Sequence, residues 1–103
     1  MVQVFKVIHT GPAAAALRQL VRNAMKEGLR DEVLKAARII ARRLEREPLV
    51  LGEPYFHLRA LKLTVYTAVV PPLAVKYAVN EENRFVAIQD FKLLGRFDHE
   101  PKD

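Results

Sequence analysis

The sequence contains no cysteine, no serine and no tryptophan. Without cysteine there is no disulfide framework, no thiolate zinc site and no thiol nucleophile. Without serine, every mechanism built on a nucleophilic serine is excluded. Glycine is sparse: Gly11, Gly28, Gly52 and Gly95 lie too far apart for a phosphate-binding loop or a dinucleotide fingerprint. The three histidines, His9, His57 and His99, are not paired at metal-ligand spacing, so neither a metal nor another cofactor is expected. No run approaches the ~18 apolar residues of a membrane helix. The stretch from Met1 to Lys6 has neither an apolar run nor a small-residue cleavage site. A cytoplasmic location without a membrane partner is therefore the expectation.

Half of the 103 residues are apolar and 28% are charged, a balance that suits a folded domain rather than a disordered chain. Length allows one core, expected over residues 1–94 with a polar, frayed tail at 95–103. The net charge of +5 is unevenly spread: residues 1–50 hold ten Lys and Arg against five Asp and Glu, and the second half holds seven of each. Basic excess attracts polyanions, nucleic acid among them, although a solvated helix face has the same composition.

Val2 to Ile8 is rich in β-branched residues and reads as a strand, stopped at Thr10-Gly11-Pro12. Pro12 then suits the first turn of a helix capped by Thr10 or Gly11. Its apolar stripe is Ala13, Leu17, Leu20, Val21 and Ala24, and Gly28 is a natural C-cap. A second helix is expected from about Asp31 to Arg46, with Val33, Ala37, Ile40 and Leu44 inward. Lys35, Arg38, Arg42 and Arg46 fall within an arc of roughly 80°, shared with Asp31 and Glu45, with Ile39 at its edge. Pro48 ends the helical half and Leu49 to Pro54 reads as a connector. Tyr55 to Leu61 alternates, with Phe56, Leu58 and Ala60 on one face and His57 and Arg59 on the other. Leu63 to Val70 is β-rich up to Pro71-Pro72. Leu73, Val75, Tyr77 and Val79 form another apolar stripe, from which Lys76 alternates away. Asn80 to Asn83 reads as a hairpin turn, and Arg84 to Leu93 returns as a strand. Asp90 and Lys92 on that strand are available for a cross-strand ion pair. The fold class is α+β: an N-terminal strand, a two-helix hairpin, then a mainly antiparallel sheet of three to four further strands. The helix hairpin covers one sheet face and leaves the other open.

Two stretches carry a family likeness. Gly52-Glu53-Pro54-Tyr55-Phe56-His57-Leu58-Arg59 follows the helices, and Leu73-Ala74-Val75-Lys76-Tyr77-Ala78-Val79 runs through an acidic turn into Phe85-Val86-Ala87-Ile88. With this element order, the chain from Val4 to Leu94 resembles the RelE/ParE toxin superfamily of type II toxin–antitoxin systems. The resemblance implies one of two activities. One is a metal-independent endoribonuclease cutting mRNA at the ribosome; the other is a non-catalytic protein-binding module on the same fold, either a ParE-like gyrase inhibitor or a divergent member of unknown role. Either way the implied partner is an acidic antitoxin. The resemblance places His57 and Arg59 where RelE-like members carry basic catalytic residues, and Lys76 supplements their field. Arg59 would stabilise charge developing on a phosphate and His57 would exchange a proton near neutral pH. Lys35, Arg38, Arg42, Arg46 and Lys92 form the candidate surface for RNA or antitoxin. Pro72-Leu73 replaces the arginine the family usually places before its x-x-Tyr element, and Lys92 and Arg96 are out of register with its later basic residue.

Overall fold

The computed structural model describes residues 4–94; the expected polar tail, 95–103, lies outside the described residues. Strand β1 (Lys6–His9) is followed by helices α1 (Gly11–Lys26) and α2 (Arg30–Arg46) and a single helical turn, α3 (Pro48–Leu51). Strands β2 (Glu53–Leu58), β3 (Leu63–Val70), β4 (Leu73–Asn80) and β5 (Phe85–Leu93) complete the order, with a 3₁₀ turn at Arg59–Leu61 between β2 and β3. One five-stranded sheet results, ordered β1-β5-β4-β3-β2. β2 to β5 pair antiparallel in sequence, and β1 lies parallel to β5 at the far edge. This is the expected α+β plan with four strands after the helices.

Local chemistry explains the boundaries. The Thr10 side chain accepts the Ala13 N–H at 3.2 Å and donates to the Ile88 carbonyl at 2.9 Å, so one residue caps α1 and ties its start to β5. The helix stops at Lys26, two residues before Gly28, whose φ of 75° makes the bend into α2. Asp31 and Glu32 occupy the positive first turn of α2, and Arg43 and Arg46 its negative last turn. The connector expected after Pro48 begins as a helical turn, because proline is favoured in a first turn where its missing N–H costs nothing. The β4–β5 turn lies one residue later than the sequence suggested: Asn80 still pairs with Phe85, and Arg84 closes the loop at φ 55°. The Asn80 side chain accepts the Asn83 N–H at 2.7 Å and holds that loop.

The two helices cover one face of the sheet. Val33, Ala36, Ile40 and Leu44 of α2 and Ala13 and Ala24 of α1 are buried against Tyr66 and Ala68 of β3, Leu73, Val75, Tyr77 and Val79 of β4, and Val86, Ile88 and Phe91 of β5. Each fully buried Ile or Leu contributes about 1.5–3 kcal/mol. The stripe expected at Phe56, Leu58 and Ala60 is not part of this core. Phe56 pairs with Val65 and Leu58 with Leu63, on the opposite face, and Phe56 and Ala60 are exposed. Among the described residues, no helix is long and apolar enough to cross a membrane.

Candidate functional site on the open sheet face

The face turned away from the helices carries the chemistry. Lys76 lies between Val75 and Tyr77, both in the core, so its side chain projects to the open face. Its register partners are Thr67 on β3 and Asp90 on β5. The β4–β5 register shifts between Lys76 and Tyr77: Tyr77 pairs with Ile88 and Lys76 with Asp90, leaving Gln89 as an extra residue. That bulge reverses the alternation of β5. Val86 and Ile88 point to the core before it, Phe91 and Leu93 after it, and Asp90 and Lys92 therefore join Lys76 on the open face. Thr67, Ala74, Lys76, Asp90 and Lys92 line one recess of about 130 Å³.

Lys76 and Lys92 are exposed and Asp90 is half-buried. No ion pair within 4 Å joins any of the three to another described residue, so the cross-strand ion pair expected at Asp90 and Lys92 is not formed. Two ammonium groups about one carboxylate leave a net positive recess, able to neutralise a phosphate and to accept a proton at one point.

His57 and Arg59 do not join this recess. His57 pairs with Thr64, and its Nδ1 lies 2.9 Å from the Thr64 hydroxyl. Thr64 is three residues from Thr67, an odd separation along a regular strand, and it pairs with Val79 of the core. His57 therefore lies on the helix side of the sheet, beyond the helices, and Lys76 on the other. Arg59 is exposed but no longer in the strand, since the chain enters the 3₁₀ turn there. The set His57, Arg59 and Lys76 does not share a face, which corrects the sequence reading; a bulge at Tyr55 and the turn at Arg59 break the alternation it assumed. Lys35, Arg38, Arg42 and Arg46 stand exposed along α2, away from the sheet, so Lys92 alone of that group belongs with Lys76.

Thr67 and Asp90 are the polar lining residues that the sequence reading did not assign to a site. Asp90 carried no signal because its face depends on the bulge. Among the described residues, no group of three His, Asp or Glu side chains could hold a metal ion.

Neither a protein-family model nor a curated protein matches this sequence. Solved structures do match its fold, two of them as follows. A chain of the RelBE toxin–antitoxin complex of Mycobacterium tuberculosis superposes with a TM-score of 0.65 at 19% identity, covering 88% of this chain and 92% of that one. The chain has a RelE-type fold. A chain of the archaeal RelE–RelB complex of Pyrococcus horikoshii gives a TM-score of 0.61 at 21% identity, covering 91% of this chain and 99% of that one.

Proposed function

We propose that this protein is the toxin-like component of a type II toxin–antitoxin system, acting on RNA through the recess at Lys76 and Lys92 and held in check by an acidic antitoxin. The observation that carries the proposal is the Gln89 bulge, which turns Lys92 and Asp90 onto the face that Lys76 occupies, on a fold whose solved neighbours come from toxin–antitoxin complexes. In the reaction proposed, the Asp90 carboxylate takes the proton of a ribose 2′-hydroxyl as that oxygen bonds to the adjacent phosphorus. The bond from phosphorus to the 5′-oxygen breaks, and a lysine ammonium of the pair returns a proton to that leaving oxygen. The two cations balance the charge gathering on the phosphate. The products are a 2′,3′-cyclic phosphate and a free 5′-hydroxyl. His57, engaged with Thr64 on the other side of the sheet, takes no part.

Binding of a single-stranded oligoribonucleotide at graded salt tests the recess. Each lysine that neutralises a phosphate contributes about 0.7 to the slope of log affinity against log salt. Lys76→Ala and Lys92→Ala should each lower the slope by about that amount, and His57→Ala should leave it unchanged. An unchanged slope in both lysine variants would remove the recess from RNA binding. Growth arrest with intact transcripts would favour the non-catalytic reading, a gyrase-directed or other protein-binding module.

A further inference from the structure

We infer that the outer side of α2 is the docking site for an acidic amphipathic helix of the protein partner. This rests on the proposal that such a partner exists, and it assigns the surface and the chemistry of the contact.

Two features lie side by side on α2. The first is a cationic rail: Lys35, Arg38, Arg42 and Arg46, at intervals of three, four and four residues, extend about 16 Å along the helix axis at 1.5 Å per residue. All four are exposed, and none has an ion-pair or hydrogen-bond partner among the described residues. The acids on that arc are Asp31, which engages Arg30 at 3.5 Å, and Glu45 at its margin. The second feature is an apolar groove of about 420 Å³ between α2 and the β3–β4 turn, walled by Leu29, Ala36, Ile39, Pro71 and Pro72, with Glu32 and Lys35 on its rim.

At ~100° per residue, the rail lies on one side of Ile39 and the groove on the other. A phosphate backbone needs the rail and gains nothing from an apolar wall, since phosphate contacts are electrostatic. An amphipathic helix uses both. Its apolar residues at i, i+3, i+4 and i+7 enter the groove, and acidic residues on one flank, repeating every three to four positions, meet the rail at matching axial steps. The apolar seam gives affinity and the rail gives orientation and rate of encounter. The same charge disfavours a symmetric α2-to-α2 contact with a second copy of this chain, because two such rails repel.

Fluorescence anisotropy with the whole protein tests this, using three probes: a 20-residue helical peptide with Leu at i, i+3, i+4 and i+7 and Glu on one flank, a scrambled peptide of the same composition, and a single-stranded oligoribonucleotide. The variants are the surface changes Arg38→Glu with Arg42→Glu, and separately Ile39→Glu, each checked for an unchanged circular dichroism spectrum. The amphipathic peptide is expected to bind, the scrambled one at least tenfold more weakly, and both variants to weaken the amphipathic peptide at least tenfold. Equal binding of the two peptides reduces the site to bulk charge and overturns the inference. So does absence of peptide binding, or a rail variant that loses only the oligoribonucleotide. Because the measurement uses purified protein, a lack of toxicity in cells overturns the functional proposal without touching this result.

Discussion

Tyr77 joins the sheet to the start of α3. Its ring stacks on Tyr66 with centroids 5.4 Å apart, and its hydroxyl donates to the Pro48 carbonyl at 2.7 Å. Burial pushes the phenol up from 10.0 to about 12, offset in part by a hydrogen bond from the Gly52 backbone. Because the folded-state value is the higher one, the folded chain holds this proton while the unfolded chain releases it between about pH 10 and pH 12. The stabilisation is therefore complete below pH 10 and lost as pH rises through that window. Tyr77→Phe should cost about 1–3 kcal/mol at neutral pH, because the Pro48 carbonyl is left without its donor. It should also flatten the decline above pH 10; denaturant unfolding from pH 7 to 12 measures both effects. Gly52 belongs to the same junction, since a Cβ there would meet the Thr67 carbonyl oxygen and the Tyr77 hydroxyl. The inward direction of Tyr77 was legible from the alternation of Leu73, Val75 and Val79. Its partner, 29 residues earlier in the chain, was not, because hydrogen bonds between distant elements leave no periodic trace.

The two bulges decide what each face of the sheet presents. On β5, Ile88 and Phe91 are both in the core although three residues apart, which regular alternation forbids. Gln89 absorbs the difference. Deleting Gln89 leaves Ile88, Asp90, Phe91, Lys92 and Leu93 in strict alternation, with the same apolar residues inward. This deletion should therefore fold and keep RNA binding within about twofold, whereas deleting Phe91 should abolish folding; circular dichroism and the salt titration check both. A collapsed Gln89 deletion would mean that the bulge is needed for more than its parity. Strand limits could be read from Pro71-Pro72 and from the turn before Phe85. The bulge could not, because no glycine or proline lies within Phe85–Leu93 and the extra residue is defined only by its pairing with β4. On β2 the alternation of Phe56, His57 and Leu58 was legible, but not which side meets the helices. Both sides of that edge strand are largely exposed, and an apolar residue there does not identify the core.

Over the whole molecule, the element order and the placement of both helices on one face followed from hydrophobic period alone, because α2 and β4 carry unbroken stripes. The parallel pairing of β1 with β5 did not, since a four-residue edge strand matches several partners equally well. Two positive fields enter the proposal: a rail along α2 and a smaller recess across the sheet. In the proposal one takes the partner's helix and the other takes RNA, so an antitoxin can grip the protein without first competing for the recess. Arg38→Glu with Arg42→Glu should accordingly leave toxicity intact while making it resistant to rescue by an acidic partner, as colony counts after co-expression would register. The most direct measurement is end-mapping of transcripts in bacterial cells after induction of the wild type, the Lys76→Ala/Lys92→Ala double variant and His57→Ala. New transcript ends with 5′-hydroxyls are expected for the wild type and for His57→Ala, and a drop of about 10²–10³ for the double variant. Ends that persist at wild-type levels in the double variant, or that vanish in His57→Ala alone, would contradict the assignment of the open face as the working surface.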